Sequence, residues 1–65
     1  MSKAAPETNR KKVAAQLKRE GWTVRHGRSH DVDTHPDKPG IIVLPRHRTL
    51  SLGVARSVAQ AAGWI

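Results

Sequence analysis

Only one stretch of the sequence carries four consecutive apolar residues, Ile41-Ile42-Val43-Leu44, and three of the four are β-branched. Such a run is a strand signal, and Pro45 directly after it ends the strand. A strand must hydrogen-bond to neighbours, and within 65 residues few segments are available. Trp22-Thr23-Val24-Arg25-His26 alternates apolar and polar residues, as a half-buried strand does. Gly27-Arg28 can turn the chain. Ser29 to His35 then reads as a second, polar strand in which only Val32 is apolar. Asp31 and Asp33 are poor strand formers. Pro36-Asp37-Lys38-Pro39-Gly40 has the composition of a turn.

Helical signals flank this β region. Thr8 or Asn9 is suited to cap a helix that runs through about Glu20. Val13, Ala14 and Leu17 form its apolar stripe, and Gly21 supplies the stop. Its first turn, Arg10-Lys11-Lys12, opposes the helix dipole, which a bound anion would offset. Arg46 to Leu50 form a basic loop. Ser51 caps a second helix from about Leu52 to Ala62, with Val54, Val58 and Ala61 or Ala62 on one face. Gly63 ends it, and Trp64-Ile65 fold back as an apolar plug. The expected architecture is α+β, in the order α-β-β-β-α. A three-stranded antiparallel sheet would carry both helices on one face. Leu17, Trp22, Val24, Val43, Val54 and Val58 are the expected core. Residues 1–7 read as a flexible tail and 8–65 as a single domain.

Composition narrows the function. Twelve Lys and Arg against five Asp and Glu give a formal charge of +7, which favours polyanionic partners. The excess is uneven: residues 1–28 hold eight basic and two acidic side chains, residues 29–65 four and three. With two Trp and no Phe or Tyr, the chain lacks the platforms of a base-stacking single-strand binder. It has no cysteine, which removes disulfides and cysteine-based zinc sites. No apolar stretch is long enough to span a membrane, and Met1-Ser2-Lys3-Ala4-Ala5-Pro6 has no signal-peptide core. A cytoplasmic protein is expected.

His26, His30, His35 and His47 are the side chains that titrate near neutrality. Their spacing across strands and turns does not enforce convergence on a metal, so neither a metal site nor a cofactor is expected. No phosphate-cradling glycine loop, paired glycosidase carboxylates or Ser-His-Asp grouping is evident. RNA cleavage suits such a small kit. The ribose 2′-hydroxyl is a built-in nucleophile, so one imidazole and a few cations suffice for acid–base catalysis and phosphate binding. A non-enzymatic RNA- or DNA-binding module on the same basic surface is the alternative.

Several residue groups, in order, resemble the HicA toxin family over about residues 10–65. They are Glu20-Gly21-Trp22, Ser29-His30, His35-Pro36-Asp37-Lys38-Pro39-Gly40 and Val43-Leu44-Pro45-Arg46-His47, followed by Leu50, Gly53, Arg56-Ser57-Val58 and Ala61-Ala62-Gly63. The resemblance implies a double-stranded-RNA-binding-domain-like fold and metal-independent cleavage of messenger RNA. It implies that His30, after Ser29, is catalytic. It also implies a HicB antitoxin partner, in a hetero-oligomer that binds operator DNA through the antitoxin. Arg25, Arg28, Arg46 and Arg48 are the candidates for RNA backbone contact, with Ser29, Lys38 and His47 beside them. His47 is either a second acid–base group or a plain loop residue. The sequence departs from the family at Arg28, where glycine precedes Ser-His, and at Asp33, where an aromatic or large apolar residue is usual. Arg28 either restricts the turn or adds a phosphate contact. Asp31 or Asp33 is placed to orient His30 or to raise its pKa.

Overall fold

The computed structural model describes residues 6–65, so the reading of a tail over residues 1–7 falls, for residues 1–5, outside the described residues. The element order is helix α1 (Arg10–Arg19), strands β1 (Thr23–His26), β2 (His30–His35) and β3 (Lys38–Pro45), and helix α2 (Leu52–Ala62). The strands form one antiparallel sheet in the order β1-β2-β3. Val13 and Leu17 of α1 and Ala55, Val58 and Ala62 of α2 share one core with Ile42 and Leu44 of β3, so both helices cover the same sheet face. This is the expected double-stranded-RNA-binding-domain-like α+β arrangement. Among the described residues no helix is long and apolar enough to cross a membrane.

The helix ends follow from their capping residues. Asn9 is the α1 cap, its side chain accepting from the Lys12 amide at 3.1 Å. Gly21 takes the left-handed conformation (φ +96°) that reverses the chain after α1. Ser51 caps α2, accepting from the Val54 amide at 3.2 Å. Gly63 (φ +82°) closes α2, with the Trp64 amide donating to the Ala59 carbonyl at 2.8 Å. The start of α1 is also tied to the loop after β3. The Arg10 amide donates to the Arg48 carbonyl at 3.1 Å, and the Leu50 amide to the Thr8 carbonyl at 2.8 Å.

Two expectations need correction. The turn after β2 is only Pro36-Asp37, and Lys38, Pro39 and Gly40 already belong to β3. Pro39 is tolerated because β3 is an edge strand, where a missing N–H costs little. The pairing slips between Asp33 and His35, and Gly40 (φ +83°) absorbs the irregularity. The second correction concerns the core. Leu17, Trp22 and Val58 are buried as expected, and Val54 packs against them. Val43 is 45 % exposed and Val24 43 % exposed, while Ile42 and Leu44 take the interior. An unbroken apolar run has no alternation to show which of its faces points inward. The register settles it: Asp33 pairs with Ile42 and Asp31 with Leu44, on the helix-covered side, and Val32 pairs with Val43 on the open side. Val24, opposite Asp33, faces the helices from the sheet edge, where it is incompletely covered.

This register gives a direct test by chemical denaturation. Leu44→Ala should cost about 2–5 kcal/mol, as a large-to-small change at a filled site. Val43→Thr should stay within about 0.5 kcal/mol of the parent. The reverse ranking would mean that the run sits one residue out of register.

Candidate functional site

One end of the sheet gathers most of the residues with chemical potential. His26 ends β1, His30 opens β2 and Pro45 ends β3, with His30 and Pro45 directly paired. Arg46, His47 and Arg48 follow β3, and the start of α1 lies against this loop. Asn9, Arg10, Lys11, Arg46 and Arg48 line a shared groove. His30 is out of step with the inward-facing Asp31, so its exposed side chain leaves the sheet on the face away from the helices. Arg25, paired with Val32, lies on that same open face. The Ser29 hydroxyl reaches His30 Nδ1 only at 3.5 Å.

The β1–β2 turn is narrow and braced. The Gly27 amide donates to the His30 carbonyl at 2.9 Å. A Cβ at position 27 would lie 2.7 Å from that oxygen, so the turn needs glycine at 27. Arg28 carries no positive φ, so the backbone there accommodates a side chain. Arg46 Nη2 donates to the Gly27 carbonyl and Nη1 to the Arg28 carbonyl at 3.3 Å. Arg46 is thus tied to the turn through its guanidinium although its side chain is partly exposed, and Arg28 and Arg48 are exposed as well. Lys38 stands apart. It pairs with His35 at the far end of β2, about 17 Å from His30 at the usual strand rise.

Beneath the turn lies a polar cluster that the sequence reading did not foresee. Asp31 is buried, 6 % exposed. Its Oδ1 accepts from Arg46 Nη2 at 2.9 Å and Nε at 3.2 Å, and contacts His26 Nδ1 at 3.0 Å. Its Oδ2 accepts from Arg10 Nη2, and Arg10 Nε donates to the Pro45 carbonyl at 2.7 Å. The His26 imidazole, then Arg46 and Arg10, hold the Asp31 carboxyl far below the usual carboxylate range, against the opposing effect of burial. Asp31 therefore engages His26, and it reaches His30 only through the turn that Arg46 holds. One sequence signal pointed here: an arginine in a helix's first turn needs an anion nearby.

Asp33 is different. It is also buried, and among the described residues its Oδ1 has no hydrogen-bond partner and the Trp22 indole N–H is likewise unpartnered. Burial pushes the Asp33 carboxyl up, and the charge of Asp31 adds to the shift. His35 has a structural setting. Its Nδ1 accepts from the Asp37 amide at 3.0 Å, which leaves Nε2–H to donate to the Glu20 carbonyl at 2.9 Å. Its ring meets Trp22 edge-on at 5.2 Å. Among the described residues no three His, Asp or Glu side chains form a group that could hold a metal ion.

By its architecture and layering the chain is a small, basic domain of the double-stranded-RNA-binding-domain-like class. A family model described as HicA toxin of bacterial toxin-antitoxin matches residues 10–64, and the chain belongs to that family. No curated protein matches it.

The two aspartates should respond oppositely to pH. The folded Asp31 pKa is lowered, so its stabilisation is complete above the unfolded value and is lost as pH falls below about 4. Asp31→Asn should destabilise at neutral pH, by an amount that shrinks on acidification. The folded Asp33 pKa is raised, so its favourable contribution is present below about pH 4 and is lost as pH rises through the folded value. Asp33→Asn should match or exceed the parent in stability at neutral pH. Urea unfolding across this range checks both, and effects of the same sign would contradict the assignment.

Proposed function

We propose that this toxin-family chain is an endoribonuclease of a type II toxin–antitoxin system. It cleaves messenger RNA in the cytoplasm with His30 as the catalytic residue, and so inhibits translation. The observation that carries this reading is the placement of His30. Its ring is exposed on the open sheet face, its backbone is fixed by the Gly27 hydrogen bond, and Arg25, Arg28 and Arg48 stand exposed at the same end.

The chemistry follows from RNA itself. His30 takes the 2′-hydroxyl proton, and the 2′-oxygen attacks the adjacent phosphorus. The bond to the 5′-oxygen breaks as that oxygen takes a proton from an acidic group or water at the site. Arginine guanidiniums bind the phosphate and offset the charge that builds on it. Arg25, Arg28 and Arg48, with Ser29 and His47, form the RNA-binding set. Arg46 supports it chiefly by holding the turn. A HicB-type antitoxin neutralises the toxin by covering this end, for which acidic or phosphate-like groups are the fitting complement. The complex is a hetero-oligomer that binds operator DNA through the antitoxin.

Purified protein should cleave a labelled RNA in EDTA, and His30→Ala should lower the rate at least about a hundredfold while still binding. Binding without cleavage by either protein would favour a non-enzymatic module instead. RNA affinity should also fall steeply between low and physiological salt, because phosphate neutralisation releases counterions. Arg48→Ala should weaken binding across sequences and reduce the salt slope by about 1. An affinity insensitive to salt would rule out this electrostatic surface.

A further inference from the structure

The histidines differ in what holds them. Both His35 nitrogens are occupied within the fold, and among the described residues His30 has only the long contact from Ser29. Among the described residues His26 alone of the four meets a buried carboxylate: its Nδ1 is 3.0 Å from Asp31 Oδ1, yet its side chain remains 72 % exposed. Asp31 is fixed in turn by Arg10 and Arg46. An ionised carboxylate accepts only, so Nδ1 carries the hydrogen and Nε2 is the nitrogen left to solvent. An imidazole oriented on one nitrogen by a carboxylate and free on the other is equipped for proton transfer.

The strand ends set the relation between the two rings. His26 pairs with Asp31 and so belongs to the helix-facing side, whereas His30 belongs to the open side. Only Gly27, Arg28 and Ser29 separate them. In strand cleavage the attacking 2′-oxygen and the leaving 5′-oxygen lie on opposite sides of the phosphorus, so a proton acceptor and a proton donor are needed on two sides. Histidines leaving one hairpin end on opposite faces match that demand.

We propose that His26, oriented by Asp31, is a second catalytic residue of the RNA cleavage, serving as the acid that protonates the leaving 5′-oxygen. The inference rests on the ribonuclease reading and divides its proton transfers between two rings. His30 accepts the 2′-hydroxyl proton, and the 2′-oxygen forms its bond to phosphorus. The bond from phosphorus to the 5′-oxygen breaks, and Nε2–H of the His26 imidazolium supplies that oxygen with its proton. The products are a 2′,3′-cyclic phosphate and a 5′-hydroxyl, with no water or redox partner consumed. Asp31 balances the charge on the His26 ring until the proton leaves.

The test compares two RNA substrates carrying the same mapped cleavage linkage. One is ordinary RNA; the other has sulfur in place of the bridging 5′-oxygen, so its leaving group departs as a thiolate without needing a proton. His26→Gln should slow cleavage of ordinary RNA about a hundredfold or more. On the sulfur substrate it should cleave at close to the parent rate. His30→Ala should stay slow on both. A His26→Gln rate equal to the parent on ordinary RNA would overturn the proposal, as would an equal loss on both substrates, the mark of a purely structural role. If His30→Ala is inactive while His26→Gln is fully active, only the role of His26 falls. If neither substitution affects cleavage, the ribonuclease assignment to this end falls with it.

Discussion

Asp31 is the group on which the arrangement of this end of the molecule depends. A carboxylate so deeply buried is costly unless donors surround it, and donors come from three separate segments. Arg10 comes from α1, His26 from the end of β1, and Arg46 from the loop after β3. The two arginines also bond elsewhere, Arg10 to the Pro45 carbonyl and Arg46 to the Gly27 and Arg28 carbonyls. The cluster is therefore a brace between segments. Removing any one partner would leave the others' charge buried and uncompensated, so the cluster holds the three segments in one arrangement. A one-residue slip of β2 would turn Asp31 outward and bury Val32 in its place, leaving two guanidiniums without their acceptor.

The brace explains which parts of the structure were legible in the sequence. Both helices, their caps and the three strands were readable because Asn9, Ser51, Gly21, Gly63 and the Ile41–Leu44 run act locally. The inward face of β3 was not readable, since Ile42 and Leu44 differ little in type from Ile41 and Val43. The decision lies in the partner strand, where the usual pattern is inverted: the aspartates point in and Val32 points toward the open side. That inversion depends on Arg10, 21 residues away from Asp31. Periodicity cannot carry information of that range. The position of His30 at the start of the middle strand was legible from the turn signal before it, and the exposed arginines at that end from the excess of positive charge. The contact of His26 with Asp31 was not, because it requires the cross-strand register.

Two residues along the same strand, Asp33 shows what the brace provides. It faces the same interior and, among the described residues, finds no donor for Oδ1, while the Trp22 indole N–H also lacks a partner. A buried polar atom left unpaired costs about 1–3 kcal/mol, so this part of the interior is less well satisfied than the end under the turn. The opposite pKa shifts of the two carboxyls express this difference in surroundings. Position along β2, rather than burial, decides which aspartate is an anchor.

The brace also resolves a conflict inherent in so small a domain. A reactive side chain needs a fixed backbone, but in 65 residues there is little structure available to surround it. Here the fixing bonds run through the turn carbonyls and along the helix-facing side, leaving the open face uncovered. His30 gains a defined position from the Gly27 hydrogen bond while its ring remains exposed, and His26 is held by one nitrogen with the other free. Arg28 fits the same logic: glycine is required at 27, where a Cβ would collide with the His30 carbonyl, and the next position is free to carry a cationic side chain. Glycine at 27 thus keeps the turn closed while Arg28 adds positive charge beside the histidine.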